Sequence, residues 1–463
     1  MEAITLSHVR IPSINIGGIC LPGIGAPGSI GKKGLIWPTG MKEHIKAWYD
    51  PKKQGLTNYD VIEAYVEDFT NWNYVKARGV ATISQHKFII TECILKGLSI
   101  VEDIQEPYSN LTVRIIGITD NQEVLITDYV NGQHQIINTI TEDGIYTIED
   151  RHHFVGFGCN FVGTCNITIE QLPTSILKDL SGNGNHAYLY GGKGKLNSGM
   201  GVYQEDFTTW SKIQGIYELG ANSFNWKYSN DTNTTILTKG ANETKSMKVI
   251  IEGLSTNILQ YAYYEESVRK ILEIKQDGEY VLPFSESNSS QTWNGFAIIK
   301  NEETVDITIT QIPDYPDQLC YDGKMYAVCY GFPILTDYTV MADRTWFDKT
   351  GVKYFLSKYK ENESVPAQLF KFEWIVNGKE YSTSLGRDVE VVFPNEITWQ
   401  TKTSYNGKGL PNSTYEDGDL LLIGKVWLNS TNYFIGCHGA IIIADHSFTE
   451  EEINWLKQNW DKI

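Results

Sequence analysis

Positive charge is scarce in this chain. Lys and Arg number 39 against 56 Asp and Glu, for a formal net charge of −17. A nucleic-acid partner needs clustered Lys and Arg to displace counterions from phosphate, so this balance excludes one. Long apolar runs are also missing, and nothing approaches the ~18 residues that span a bilayer. The first residues offer neither a basic n-region nor an apolar h-region, so export by the usual signal is not expected. Cysteine is sparse and irregular, with seven residues and no C-x-x-C pair. Cys159/Cys165 and Cys320/Cys329 are near enough in sequence to pair, but the scattered odd set reads as free thiols in a reducing cytosol. The N-x-S/T triplets at Asn110, Asn166, Asn412 and Asn429 follow from an Asn- and Thr-rich composition.

Motifs that carry chemistry are absent too. No G-x-S-x-G elbow occurs, and no E-x-D-x-E places carboxylates at alternate positions of one strand for glycoside hydrolysis. The nearest acidic cluster, Glu416-Asp417-Gly418-Asp419, follows Pro411-Asn412-Ser413-Thr414 and reads as a loop. Gly23-x-Gly25-x-x-Gly28 has the letters of a dinucleotide fingerprint, but Pro27 lies inside it and no helix pattern follows. His152, His153, Cys159 and Cys165 match no zinc spacing. The chain is therefore read as non-enzymatic, with no cofactor and no metal assigned.

Aromatic residues and glycine are abundant. Aromatics reach 12%, with 27 Tyr and 12 Trp, and glycine numbers 41, which favours turn-rich β structure. One pattern also occurs twice. Glu67-Asp68-Phe69-Thr70-Asn71-Trp72 returns as Glu205-Asp206-Phe207-Thr208-Thr209-Trp210, and Asp143-Gly144-Ile145-Tyr146 as Asp277-Gly278-Glu279-Tyr280. Ile167 to Pro173 returns as Ile307 to Pro313. The anchors Asp68/Asp206, Asp143/Asp277 and Gln171/Gln311 lie 138, 134 and 140 residues apart, which marks a tandem duplication. Each unit is roughly 105–110 residues of alternating polar and apolar positions, the length and pattern of a jelly roll. Thr112–Ile116, Glu123–Ile126 and Ala297–Lys300 are typical strands.

With residues 67–173 and 205–313 set aside, 41–66, 173–204 and 314–463 remain. That is roughly 200 residues, enough for one core. We read them as a single β-sandwich interrupted twice, since insertion is tolerated where chain ends lie close together. Its signature is Leu177-Lys178-Asp179-Leu180-Ser181-Gly182-Asn183-Gly184-Asn185-His186, strand then tight turn, resuming at Ala187. The Asp and Asn side chains give this turn the composition of a calcium loop. It lacks the EF-hand order and closing Glu, so a hairpin is expected there.

Residues 1–40 are rich in Gly and Pro yet too apolar for a solvated linker. They read as an extended arm lying on another protein, with Ile11, Pro12, Ile14, Ile16, Leu21 and Pro22 as the anchoring residues. Lys42 to Trp48 is expected as a short helix ending before Pro51. Buried strands are expected over Met325–Tyr330, Thr339–Ala342, Val389–Phe393, Leu420–Trp427 and Ala440–Ala444. Thr449 should cap a final helix with Glu450 to Glu452 in its first turn, Phe448 stapling the entry, and Ile453, Leu456 and Trp460 as one apolar stripe. Trp72 and Trp210 recur in both copies and read as core. Trp226, Trp293 and Trp427 are the candidates for stacking on a sugar face.

The Leu177–His186 turn resembles that of laminin-G/concanavalin A-like jelly rolls. Gly439 to Asp445 followed by Phe448 to Ile453 resembles their last strand and terminal helix. Ala47-Trp48-Tyr49-Asp50-Pro51-Lys52-Lys53-Gln54-Gly55-Leu56-Thr57-Asn58 together with the turn is similar to virion structural proteins of tailed phages. There the first segment runs closely into the second, in keeping with 67–173 being an insert. The two copies resemble carbohydrate-binding-module jelly rolls. The resemblance implies a capsid fibre, decoration or tail-associated protein, made in the host cytoplasm and carried on the virion. Its implied partners are other virion proteins through residues 1–40, host or mucosal glycans, and further copies of the chain, with no membrane contact. A bacterial surface lectin or glycosidase with accessory carbohydrate-binding modules, and a tail-associated spacer, are the alternatives.

Overall fold

The computed structural model describes residues 14–16, 19–21, 35–56, 63–103, 110–131, 133–149, 154–192, 204–212, 216–227, 233–287, 294–302, 305–333, 335, 337–359, 370–384, 387–393, 397–402 and 420–463. The chain is all-β, built of antiparallel sheets packed as sandwiches, with a short C-terminal helix. No helix among the described residues is long and apolar enough to cross a membrane.

Three stretches far apart in sequence share one core. An eight-stranded sheet runs Ile176–Leu177, Ala187–Tyr190, Tyr326–Tyr330, Leu420–Ile423, Val352–Tyr359, Phe370–Val376, Lys379–Ser384 and Arg387–Val391. A smaller sheet faces it, ordered Leu319–Asp322, Ile435–Ala444, Tyr338–Trp346 and Thr398–Lys402, with Ile45–Tyr49 also pairing Ile435–Ala444. Ala47, Tyr49, Leu177, Leu189, Leu319, Phe355 and Ile441 meet between the sheets. We call this unit the host sandwich. Burial on this scale supplies most of its stability.

The expected helix at Lys42–Trp48 is not there. Met41–His44 is one 3-10 turn, and Ile45–Tyr49 is a strand. Pairing decides the conformation: Ile45, Ala47, Trp48 and Tyr49 are all buried once the strand lies beside Ile435–Ala444. Asp50 caps the turn Pro51–Gln54 that follows, accepting from the Lys53 amide at 3.1 Å. The final helix, Glu450–Asn459, has the expected capping box, Thr449 with Glu452. Its Ile453, Leu456 and Trp460 pack on Met341, Ile442 and Trp48 on the outer face of the small sheet.

The two copies fold alike. Among the described residues each copy has ten strands in two five-stranded sheets, and the order of the strands within each sheet is the same in both copies. The repeated residues have repeated tasks. Asp68 and Asp206 accept from Thr70 and Thr208 amides at 2.9 and 3.0 Å. Phe69 with Trp72, and Phe207 with Trp210, fill the two cores. Gln171 clasps the start of its own copy, its Oε1 accepting from the Glu67 amide at 2.9 Å and its Nε2 donating to the Glu67 carbonyl at 3.1 Å. Gln311 treats Glu205 the same way at 2.9 and 2.8 Å. The entry segment and the last strand of each copy are thus stitched together, which lets each copy sit inside another domain without pulling it apart.

Not all the thiols are free. Cys93 and Cys159 form a disulfide between the two sheets of the first copy, whereas Cys165 remains a thiol. Proximity in sequence misleads here, because facing sheets bring together strand ends 66 residues apart.

Within the host core, His438 is fully buried. Its Nδ1 lies 2.7 Å from the Gly439 carbonyl, which can only accept, so Nδ1 carries the proton and Nε2 accepts from the Tyr321 hydroxyl at 3.0 Å. Burial pushes the imidazole down to about 4. An unfolded histidine titrates near 6.5, so the unfolded chain binds this proton first. Stability is therefore intact above pH 6.5 and falls by about 3 kcal/mol in total as pH drops to 4. Chemical unfolding at pH 7 and pH 4 should show this loss, and His438→Gln should remove that share of the slope. An unchanged slope in the variant would assign the acid sensitivity elsewhere.

Candidate functional site

The sheet of the second copy containing Ile216–Leu219, Ser223–Lys227 and Asp306–Ile312 buries alternate residues. Phe224, Trp226, Ile307 and Ile309 point inward, leaving Ser223, Asn225, Lys227, Asp306 and Thr308 on the outer face. Register then sets them side by side. Glu218 lies opposite Asn225, Asn225 opposite Thr308, and Lys227 opposite Asp306. These side chains line a cleft of about 700 Å³, with Leu219, Gly220 and Phe224 completing its wall.

Polar bonds order the lining. Asn225 Nδ2 donates to Asp306 Oδ1 at 2.6 Å and to Thr308 Oγ1 at 3.0 Å, and Lys227 Nζ lies 3.6 Å from Asp306 Oδ2. Asn225 Oδ1 is buried without a hydrogen-bond partner. Carboxylates, an ammonium, an amide and hydroxyls about 5 Å apart across strands can meet several hydroxyls of one ligand. Among the described residues no group of three His, Cys, Asp or Glu could hold a metal.

The first copy lacks this lining. There Thr82 pairs Ile89, and Ile89 stands where Asn225 does, opposite Thr168 as Asn225 is opposite Thr308. Asn166 replaces Asp306; each carbonyl crowds the matching glycine, Gly117 or Gly253. The same face is also used differently. Arg114 extends from it over the Tyr330 ring of the host sandwich, 4.3 Å from the centroid, and Thr168 is buried. Tyr330 belongs to a strip with Tyr190 and Tyr326 on the outer face of the large sheet. The rings of Tyr190 and Tyr326 stack at 5.2 Å, and the Tyr190 and Tyr330 hydroxyls are 2.8 Å apart. The first copy docks through this face, whereas in the second copy Glu218, Lys227 and Asp306 on it are exposed among the described residues.

The residues singled out in the sequence fare unevenly. Trp226 cannot stack on a sugar: it is 0% exposed in the second copy's core, because it alternates with Asn225 and faces inward. Trp293 lies outside the described residues, as do Ile11, Pro12, Pro22, His152, His153 and Glu416 to Asp419. Trp427 is half-buried beside Tyr326 and Tyr330. Ile14, Ile16 and Leu21 fall on a two-stranded hairpin, Ile14–Ile16 with Ile19–Leu21, that forms a sheet of its own. The last part of the arm packs inward: Trp37 sits 5.1 Å from Trp455 and 6.3 Å from Trp48. In the Asp179 turn the carboxylate accepts from the Trp48, Ser181 and Asn185 amides, which ties the turn to the Ile45–Tyr49 strand. Sequence reasoning missed the cleft. Its signal was the substitution of Ile89 by Asn225 and Asn166 by Asp306 between copies.

No family model matches the chain, and no curated protein does. Solved structures similar to it include a Trypanosoma rangeli sialidase in complex with sialic acid, 9% identical, covering 84% of each chain at a TM-score of 0.25. Another is the tandem CBM22 domain pair of Paenibacillus barcinonensis Xyn10C, 9% identical, covering 55% of this chain and 96% of that one at a TM-score of 0.15.

Proposed function

We propose that the chain is a non-enzymatic structural protein of a tailed-phage virion, a head fibre or decoration protein, whose second copy binds neutral glycans in its outer-face cleft. Residues 1–34 attach it to other virion proteins, and several copies on one particle multiply a weak single-site affinity. The virion assignment is supported by the resemblance of the Ala47–Asn58 and Leu177–His186 segments. The glycan assignment is carried by the polar cleft, built in the copy that stays open and missing from the copy that docks. The docked first copy favours a second role as a rigid spacer.

A glycan array probed with the full chain tests the binding. Neutral oligosaccharides should retain it, and Asp306→Ala and Thr308→Val should each weaken retention about tenfold or more, roughly 1.4 kcal/mol. A blank array, or variants that bind as the parent does, would leave only the spacer. Removal of residues 1–34 keeps Trp37 and should yield a folded protein that no longer joins particles. Incorporation of the shortened chain would remove the arm from the reading.

A further inference from the structure

Two thiols outside the cleft stand directly opposite each other. Leu319–Asp322 pairs antiparallel with Ile435–Ala444, with Leu319 opposite His438, Cys320 opposite Cys437 and Tyr321 opposite Gly436. Leu319 and Tyr321 point into the host core, so Cys320 and Cys437 share the outer face. They are 5% and 0% exposed beneath the rings of Tyr315 and Phe347. Both are free thiols, and Cys320 Sγ lies 4.0 Å from the Gln318 carbonyl. Cys437 Sγ also donates to Gln318 Oε1 at 2.8 Å. Opposed residues of an antiparallel pair have Cα atoms about 4.5–5.5 Å apart, inside the range a disulfide spans.

The position gives the pair a purpose. Leu319–Asp322 is where the chain re-enters the host sandwich after the second copy, and it lies at the edge of the small sheet. Gln204 and Asp314 hydrogen-bond where the second copy joins the host. A covalent bond between Cys320 and Cys437 would fasten this returning strand to the centre of the sheet.

We propose that Cys320 and Cys437 are a dithiol that closes to a cross-strand disulfide when the protein meets a disulfide oxidant, locking the root of the second copy. The Cys320 thiolate attacks one sulfur of the oxidant and releases the first thiol. The Cys437 thiolate then attacks the Cys320 sulfur of the mixed disulfide and releases the second. Two protons pass to solvent, and the oxidant takes two electrons. Burial holds the Cys320 thiol protonated, so the reaction proceeds when the edge strand opens.

Oxidised glutathione is the probe. The full chain is incubated with it, with and without sub-denaturing urea to open the edge strand, then alkylated, digested without reduction and mass-mapped. The expected product is a Cys320 peptide joined to a Cys437 peptide, lighter by two hydrogens than the separate pair, with a melting temperature raised by several degrees. The Cys320→Ser/Cys437→Ser variant should fold, melt like the reduced parent and show no rise with oxidant. Alkylated or singly glutathionylated cysteines in both incubations, or linkage of either residue to Cys329, would overturn the proposal.

Discussion

Arg344→Met should cost the host sandwich about 3–5 kcal/mol, while Arg344→Met combined with Glu373→Leu should restore most of the loss. The two side chains are 1% and 2% exposed and bridge the two sheets, Arg344 Nε donating to Glu373 Oε2. Thr398 Oγ1 donates to the other carboxylate oxygen, and the guanidinium lies 5.0 Å from the Phe393 ring centroid. Glu373 takes a left-handed backbone, φ 55°, which breaks the alternation of its strand. That is why Phe372 and Ile375, three positions apart, both reach the core. Burial pushes the Glu373 carboxyl up from its ordinary range even with Arg344 beside it. A lone charge left there has lost both water and counterion, which sets the size of the effect. Urea unfolding followed by tryptophan fluorescence measures it. A single-variant loss below about 1 kcal/mol, or a double variant as weak as the single one, would show that the pair adds little.

What could be read in the sequence was whatever local chemistry repeats. Asp68 and Asp206 cap identical turns, and Gln171 and Gln311 clasp identical ends, so the same letters return at the same spacing. The final helix was legible because Thr449, Glu452 and the Ile453–Leu456 stripe are local signals. Long-range pairing was not legible. Ile45–Tyr49 turns into a strand only because Ile435–Ala444 lies beside it, and Cys93 finds Cys159 only across a closed sandwich. Trp226 shows the limit of residue type: an aromatic suited to sugar stacking faces whichever side the strand's alternation dictates. The cleft is a difference between copies, and a search for what the copies share passes over it.

Asp179→Ala should cost about 4 kcal/mol, because one buried carboxylate holds the first host strand to the turn that follows the first copy. Asp179 is 6% exposed. Its Oδ1 accepts from the Trp48 and Ser181 amides, both at 2.9 Å, and its Oδ2 from Ser181 Oγ at 2.8 Å and the Asn185 amide at 3.1 Å. Around it, Asn183 Nδ2 and Asn185 Nδ2 donate to the Ile45 and Lys46 carbonyls, both at 2.7 Å, and the Leu180 amide donates to the Trp48 carbonyl. The loss of the carboxylate strands three backbone donors, the Trp48 amide in a buried site and the Ser181 and Asn185 amides in part-buried ones, each costing up to about 1–3 kcal/mol, less what water and local relaxation recover. Asp179→Asn keeps the shape and one acceptor, and should lose roughly half as much. Hydrogen exchange gives the local readout: the Trp48 and Leu180 amides should exchange much faster, while amides within the two copies keep their protection. Unchanged protection at Trp48 with a cost under about 1 kcal/mol would mean that Ile45–Tyr49 is held by Ile435–Ala444 alone, and that the Ser-Gly-Asn-Gly-Asn turn merely connects two strands.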